Sequence, residues 1–351
     1  MATLLSTITT SQKLLCLAYE HNNVLKEFEV VATKYNNISD DGFRKETFAK
    51  LRSILRAELE SHKNDTDYEK CDIGYIQDAV DAMSQLRKFI RQNDTTAIEN
   101  LIQSDPGLNI NAGFGGSSYF KPIHLAAELG NVRVVETLIK HGAEINAKHN
   151  NTHLEYSPLH YAASEGNADV VRFLCKRGAD INVEDVHGRT PIHMAVLYAK
   201  ADAVRVLCKC GAEINAEDDH GRTTIHWAAL YELAEVARIL IKHGADINAK
   251  CLEGKTPLHY AAMSEIADVA RILAEYGADI NARCFEGKTP LHYAAMSGNA
   301  DAVRVLCECG AEINIKDNDG KTPLDIADSD EVINILKEVE QKWPKSMGLA
   351  A

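Results

Sequence analysis

The sequence predicts an all-α solenoid, a stack of short helix pairs made by repeating one unit. Residues 253–264 read Glu-Gly-Lys-Thr-Pro-Leu-His-Tyr-Ala-Ala-Met-Ser, and residues 286–297 repeat them without change. A histidine that follows Ile or Leu marks the same spacing, with steps of 36, 33, 33, 33 and 33. These histidines are His124, His160, His193, His226, His259 and His292. A fixed period of this length is typical of repeat proteins, whose units stack because one unit alone cannot bury its apolar faces.

Each unit predicts two helices that are joined by a turn and followed by a loop. In the unit 254–283, Thr256 is suited to cap the first helix and Pro257 to occupy its first turn. A second helix at about 267–276 is predicted by apolar residues at i, i+3, i+4 spacing, namely Val269, Ile272 and Leu273. Gly277 ends that helix, because glycine adopts the left-handed conformation at low cost.

The motifs Thr-Pro-Leu-His-Tyr-Ala-Ala and Gly-Ala-Asp-Ile-Asn-Ala, at a period of 33, resemble the ankyrin repeat. The resemblance covers about residues 86–340. It implies a curved stack of helix pairs, with loops that project like fingers from one edge and a concave face that binds other proteins. It also implies that the signature histidines hold the loop by hydrogen bonding to the Thr-Pro turn rather than by binding a metal.

Residues 1–85 lie outside the resemblance and are predicted to form a small helical N-terminal region, whose third helix runs from Ile73 to Met83. The repeat array follows at 86–340, and residues 341–351 form a tail. The array comprises a degenerate N-terminal cap at 86–111, six full repeats at about 119–315 and a shortened C-terminal cap at 321–340. The full repeats, numbered 1 to 6, begin near Tyr119, Tyr156, Arg189, Arg222, Lys255 and Lys288.

Composition limits the kinds of partner. The 351 residues include 38 basic and 51 acidic side chains, which give a formal net charge of −13. This charge argues against nucleic acid or a membrane as the main partner and favours a neutral or basic protein. No apolar run predicts a transmembrane helix, and no secretory leader is recognised. The nine cysteines are therefore expected to be reduced and the protein to be cytoplasmic, with delivery into a host cell left open.

The sequence predicts no catalytic residues, no cofactor, no metal and no small-molecule substrate. It has neither a Gly-rich phosphate loop nor a nucleophile elbow. Two Cys-x-Cys pairs end predicted second helices: Cys208 with Cys210 and Cys307 with Cys309. A structural zinc site needs four suitably spaced ligands, which these pairs lack. Cys175, Cys208 and Cys307 occupy the apolar position that Ile241 holds in another repeat, so core packing is their favoured role. Cys251 and Cys284 lie one period apart in the fingers and are expected to be more exposed and open to reaction.

The turn between the two helices of a unit departs from the family pattern in the middle of the array. Glycine is the usual residue there, as at Gly130, Gly166 and Gly298. Three successive repeats instead have Ala199, Glu232 and Glu265. A non-glycine residue in a left-handed turn costs on the order of 1 kcal/mol. The middle is therefore expected either to be less stable than its motifs suggest or to have rebuilt turns.

By resemblance, partners contact the two positions after Ala-Ala on the first helix and the residue pair at each finger tip. Here the helix positions form an apolar row, which we call the helix-end strip: Leu197, Tyr198, Leu230, Tyr231, Met263 and Met296. The finger positions, which we call the fingertip set, are His187, His220, Leu252 and Phe285. Exposed apolar patches mark interaction sites, and tyrosine is enriched at hot spots.

The predicted function is a non-catalytic scaffold or adaptor that binds a protein partner of unspecified identity through these residues. Alternatively, the helix-end strip packs between repeats or is covered by the N-terminal region. A competing class of function is an enzyme or toxin whose activity resides in residues 1–85, and a third is an adaptor whose first 85 residues recruit a second partner. The near-identical central repeats suggest recent duplication, which is common in host-directed ankyrin effectors of intracellular bacteria.

Overall fold

The computed structural model of the protein describes residues 73–114, 120–149, 154–264 and 266–342. These ranges contain fifteen α-helices, one 3-10 helix and no strand. The α-helices are α1 (Ile73–Gln92), α2 (Thr95–Ser104), α3 (Pro122–Glu128), α4 (Val132–Lys140), α5 (Pro158–Glu165), α6 (Ala168–Lys176), α7 (Pro191–Leu197), α8 (Ala201–Cys210), α9 (Thr224–Leu230), α10 (Ala234–Lys242), α11 (Pro257–Met263), α12 (Asp268–Glu275), α13 (Pro290–Met296), α14 (Ala300–Glu308) and α15 (Asp330–Lys342). The rest of the predicted N-terminal bundle and the tail from residue 343 lie outside the described residues.

The chain divides into two compact units. The first contains α1, α2, α4 and the part of α3 up to Ala126. The second contains the short segment Ala127–Gly130 and every helix from α5 onward. The predicted all-α repeat architecture is confirmed.

The first described helix is longer than the sequence pattern predicted. Helix α1 continues past Met83 to Gln92, because no proline or glycine interrupts the chain between Tyr75 and Gln92. Leu86 and Ile90, which were assigned to the degenerate cap, are buried on this same helix. The proposed boundary at residue 85 therefore falls inside α1.

The first helix of each repeat from 2 to 6 starts with a capping box. In repeat 2 the backbone N–H of Ser157 donates to His160 Nδ1 at 3.1 Å, and the N–H of His160 donates to Ser157 Oγ at 3.4 Å. The same box forms in the later repeats at Thr190, Thr223, Thr256 and Thr289. Repeat 4 has Thr224 in place of the usual proline, and its hydroxyl donates to the carbonyl of Ile214 at 2.7 Å. The motif is thus a set of helix caps, and proline is dispensable within it.

Repeats of the second unit stack through matching helices. The first helices pack in the order α5, α7, α9, α11, α13, and the second helices in the order α6, α8, α10, α12, α14. In α11, Leu258, Ala261 and Ala262 are fully buried. Small alanine side chains let the helix axes approach closely, so these residues set the separation between neighbours.

Loop asparagines join consecutive repeats. Asn182 Oδ1 accepts a hydrogen bond from the backbone N–H of Glu213 at 2.9 Å. The same bond, at 2.8 to 2.9 Å, recurs at Asn215, Asn248 and Asn281. A hydrogen bond repeated once per unit fixes how each repeat is aligned with the next. Burial of apolar surface is not directional and would not fix this alignment by itself.

Two of the three turns without glycine keep the left-handed conformation. The backbone φ is 55° at Ala199 and 59° at Glu232, values that side chains with a Cβ rarely adopt. These repeats therefore retain the family geometry at a cost in backbone energy.

The third turn is rebuilt. Ser264 is extended, with φ −76° and ψ 153°, and α12 starts at Asp268, one residue later than its equivalents Ala201 and Ala234. Glu265 itself lies outside the described residues. Left-handed turns without glycine and a rebuilt turn thus occur in neighbouring repeats, and the lower stability of the middle stays a prediction.

Candidate protein-binding surface

Five of the six signature histidines, all except His193, fasten the start of their own helix to the following loop. His226 Nδ1 accepts from the N–H of Thr223 at 3.1 Å, and His226 Nε2 donates to the carbonyl of Lys255 at 3.1 Å. His160, His259 and His292 make the same pair of bonds. Since one ring nitrogen accepts and the other donates, the arrangement requires a neutral imidazole.

Burial keeps these rings neutral. It lowers the pKa to about 3 for His124 and to about 4 for His160, His193, His226 and His259. Hydrogen bonds to backbone carbonyls oppose this shift but do not cancel it. The histidines therefore belong to the scaffold that positions the fingers, as the resemblance implied, and are not free acid-base groups.

The fingers form a backbone ladder from one repeat to the next. The N–H of Leu252 donates to the carbonyl of His220 at 3.0 Å, and the N–H of Phe285 donates to the carbonyl of Glu253 at 3.1 Å. The ring of Phe285 lies over Gly254, where a Cβ would come within 2.7 Å of a ring carbon. Successive fingertips are therefore held against one another.

The side chains at the base of the fingers are of two kinds, ion pairs in the earlier fingers and thiols in the later ones. Asp218 Oδ2 accepts from Arg222 Nε at 2.9 Å and from Trp227 Nε1 at 3.1 Å. Burial opposes ionisation of this carboxylate, but the hydrogen bonds from Arg222 outweigh it and lower the pKa of Asp218. Asp185 is paired with Arg189 in the preceding finger, at 2.8 Å between Oδ2 and Nε.

One period later, cysteine replaces the aspartate and the prediction of exposed, reactive thiols is wrong. Cys251 and Cys284 are both 95% buried, with 5% of their surface exposed. Cys251 Sγ lies 3.6 Å from the hydroxyl of Tyr260, and Cys284 Sγ lies 3.7 Å from that of Tyr293. These thiols point under the finger, where the aspartates of the earlier fingers point, so they belong to the packing of the loop.

The helix-end strip is exposed at four of its six positions. The exposed fraction is 53% for Tyr198, 45% for Tyr231, 40% for Met263 and 44% for Met296. The first helices that carry them are sequential neighbours in the stack. Trp227 stacks on Tyr231, with ring centroids 5.8 Å apart, and so supports its side chain from within.

The remaining two members, Leu197 and Leu230, are half-buried. The exposed apolar side chain thus changes position along the stack. In repeats 3 and 4 it is the tyrosine just after the helix, whereas in repeats 5 and 6 it is the methionine that ends the helix. Two tyrosines and two methionines, rather than six residues in one row, form the accessible strip.

The fingertip set is exposed throughout. Leu252 and Phe285 have 66% and 72% of their surface accessible, and His187 and His220 are exposed as well. Glu253 and Glu286 at the same tips pair with Lys255 and Lys288, each at 2.6 Å, so much of the local acidic charge is balanced. The most exposed apolar side chains of the described chain are therefore on adjacent fingers.

Four further apolar residues are exposed outside the helix-end strip and the fingertip set. They are Leu129, Val186, Ile266 and Tyr276. Val186 occupies the fingertip position two periods before Leu252. Ile266 belongs to the rebuilt turn, where its N–H donates to Glu232 Oε1 at 3.2 Å, and the repeat pattern contains no signal for that exposure.

Among the residues that the structure describes, no group of three or more His, Cys, Asp or Glu side chains is arranged to hold a metal ion. Within the same ranges, no helix has both the length and the apolar character needed to cross a membrane.

Comparison with known proteins identifies the scaffold. Sequence models described as ankyrin repeats match residues 84–185, 148–218 and 210–284 (three copies) and 273–327 (many copies). The chain belongs to the ankyrin-repeat family. No curated protein matches it. Ankyrin repeats generally mediate protein–protein interaction, so the exposed surface described above lies on a scaffold suited to binding proteins.

Two solved ankyrin domains are similar to this chain. The ankyrin-repeat domain of Bcl-3, described as a unique member of the IkappaB protein family, is 32% identical with a TM-score of 0.56, and the match covers 62% of this chain and 98% of that one. The human ASB11 ankyrin-repeat domain is 30% identical with a TM-score of 0.57, covering 63% and 98%.

Proposed function

We propose that this ankyrin-repeat protein is a non-catalytic adaptor that binds a protein partner on the exposed helix-end strip and the fingertip set. The observation that carries the proposal is the exposure of a large apolar side chain at the end of the first helix in each of four consecutive repeats. Water-exposed Tyr, Met, Leu and Phe side chains in one region are costly unless a partner covers them.

The two sets differ in what they would contribute. Tyr198 and Tyr231 combine a large apolar ring with a hydroxyl, and rigid aromatic side chains lose little entropy when a partner immobilises them. Met263 and Met296 are flexible and fit irregular partner surfaces. The two tyrosines are therefore expected to supply most of the binding affinity, and the two methionines to adapt their conformations to the surface of the partner.

Charge favours a neutral or basic partner. The formal net charge of the chain is −13. Glu165 is exposed one period before Tyr198, and Asp219 is exposed one period before Leu252, so acidic groups flank the apolar positions. Basic residues around an apolar segment of the partner would speed association and disfavour acidic competitors. A host-directed role stays a prediction from the near-identity of the repeats.

The experiment compares partners retained by the full chain and by a Tyr198→Glu, Tyr231→Glu double variant, after circular dichroism has shown that both are folded. A captured partner is then purified and its Kd measured for each. We expect the double variant to weaken binding at least tenfold, since removal of hot-spot side chains costs about 2 kcal/mol or more.

The matched control is Tyr276→Glu, which changes an equally exposed tyrosine at the end of the second helix α12. It should leave the Kd unchanged. Equal binding by the double variant and the native chain would mean that the helix-end strip is not the binding face. Equal weakening by the control would show that only added negative charge matters.

A further inference from the structure

The identical twelve-residue segments of repeats 5 and 6 are followed by different turns. The next two residues are Glu265-Ile266 in repeat 5 and Gly298-Asn299 in repeat 6. Asn299 Nδ2 donates to the carbonyl of Ser264, a hydrogen bond that joins repeat 6 to repeat 5. Ile266 has no group that could make such a bond, and 53% of its surface is exposed. Repeat 5 thus has an exposed apolar side chain where repeat 6 has a structural hydrogen bond.

The preceding repeat holds the exposed Ile266 in place. Its N–H donates to Glu232 Oε1 at 3.2 Å, and Ser264 Oγ donates to the carbonyl of Ala229 at 3.2 Å. Glu232 directly follows Tyr231, a member of the helix-end strip. The rebuilt turn therefore places an additional apolar side chain next to that strip.

The rebuilt turn is also followed by an acidic side chain that lacks its usual partner. In repeat 6 the acid in the first turn of the second helix, Asp301, pairs with Arg304 at 2.9 Å. The equivalent arginine of repeat 5, Arg271, instead pairs with Glu308 at 3.6 Å. Asp268, which begins α12 and is exposed, is therefore left without a cationic partner among the described residues.

Ile266 thus lies between two acidic side chains that no cation of the described chain pairs with. Glu232 is half-buried beside it, and Asp268 is two residues further along. Both carboxylates are open to a cation from outside, in a chain whose formal net charge is −13. An apolar side chain between two such carboxylates is complementary to an apolar residue that has a basic neighbour.

Building on the function proposed above, we propose that Ile266 is a specificity-determining residue of the binding surface. It selects a partner segment in which an apolar side chain has a lysine or arginine close by. The apolar side chain covers Ile266, and the cation pairs with Glu232 or Asp268. Segments with acidic residues at these places are rejected, because like charges would face each other.

The test uses a library of random dodecapeptides displayed on phage and selected on the immobilised full-length chain. Enriched peptides are synthesised with a fluorophore, and their Kd is measured by fluorescence anisotropy. We expect the enriched peptides to share an apolar residue with Lys or Arg within about three positions. Ile266→Asn introduces the residue that repeat 6 has and should weaken their binding about tenfold, because the exposed apolar surface is lost.

A second variant tests the charge. Glu232→Gln keeps an acceptor for the N–H of Ile266 but removes the negative charge, so it should weaken binding several-fold, with a smaller loss at high salt. The matched controls are Ile266→Leu, which keeps an apolar side chain, and Asp301→Asn, which removes an acid that is already paired in repeat 6. Both should leave the Kd within about twofold of the native value.

Unfolding separates binding from packing. The midpoint of thermal unfolding should not fall in Ile266→Asn, because an exposed side chain contributes little to the core. A fall of several degrees would show that Ile266 is a packing residue, and the proposed role would be overturned.

The binding results distinguish this role from the proposed function. If Ile266→Asn binds the enriched peptides as tightly as the native chain does, while the Tyr198→Glu, Tyr231→Glu variant loses them, the helix-end strip remains the binding surface and the role of Ile266 is overturned. If no enriched peptide depends on those tyrosines, the proposed function fails as well. Enrichment of acidic peptides would contradict the selection by charge.

Discussion

The fingers at Asp185 and Asp218 and those at Cys251 and Cys284 have the same backbone but different interiors. The N–H of Asp218 donates to the carbonyl of Arg222 at 3.0 Å, and the N–H of Cys251 donates to the carbonyl of Lys255 at 3.0 Å. Above this shared hairpin, the first pair, which we call the Asp fingers, uses carboxylates and arginines. The second pair, the Cys fingers, uses thiols and tyrosine hydroxyls.

Three positions change together between repeats 4 and 5. Asp218, Arg222 and Trp227 in repeat 4 correspond to Cys251, Lys255 and Tyr260 one period later. Arg222 stacks over Trp227 with 4.4 Å between the guanidinium carbon and the ring centroid, which completes a charged cluster. The comparison teaches that the backbone hydrogen bonds define the finger, whereas the side chains beneath it only need to satisfy one another.

Acid should destabilise both kinds of finger to a similar extent, because both depend on neutral histidines. In the folded protein the pKa is about 4 for His226 beside an Asp finger and about 4 for His259 beside a Cys finger. Unfolded histidine titrates near 6.5, so the unfolded state binds more protons between these values. Stability is fully present above about pH 6.5 and falls as pH drops toward 4, by about 1.4 kcal/mol per unit for each buried ring.

Urea unfolding at several pH values between 7 and 4.5 measures this fall. The five deeply buried rings together should cost several kcal/mol by pH 5.5. The pKa of Asp218 is lowered from 3.8, so that carboxylate does not titrate in this window. His259→Gln removes one titrating ring and should give a shallower fall. A stability that stays flat across this window would contradict the neutral-ring network.

Truncation at the finger base should separate the two kinds of finger. Asp218→Ala leaves Arg222 without its carboxylate, and breaking a buried ion pair costs about 3 kcal/mol or more. Cys251→Ala removes one neutral sulfur and is expected to cost about 1 kcal/mol. Thermal or urea unfolding of both variants measures the contrast. Equal losses would show that the ion pair contributes no more than packing does.

Much of the scaffold could be predicted from the sequence, because aligning the repeats identifies the equivalent positions in every unit. The Thr caps, the signature histidines and the apolar stripes recur at a fixed offset, so one unit explains the others. Positions that follow Ala-Ala also located the exposed residues Tyr198 and Tyr231. The length of α1 was missed because the degenerate cap has no motif to separate it from the preceding helix.

Side-chain direction within the fingers was not readable in the same way. Cys251 was expected to be exposed because it lies in a finger, next to the fingertip residues Leu252 and Glu253. The structure shows that its thiol faces inward and contacts Tyr260. The half-burial of Leu197 has a similar origin, since the rotation of a residue at a helix end is not fixed by the repeat period. The repeat period predicts where a residue lies along the stack, but its side-chain contacts determine which side of the loop it faces.

The smallest expected effect concerns the turns between the two helices of a repeat. Ala199 holds φ 55°, so Ala199→Gly should relieve backbone strain of about 1 kcal/mol, partly offset by the greater freedom of glycine in the unfolded chain. The reciprocal change is Gly298→Ala, at φ 70°, where an added Cβ would meet only Ser329 Cβ at an ordinary 3.5 Å. Because that contact is not a clash, its cost of about 1 kcal/mol would come from the backbone alone. Urea unfolding should therefore shift in opposite directions for the two variants. Shifts in the same direction would mean that packing, and not the left-handed backbone, sets the stability of these turns.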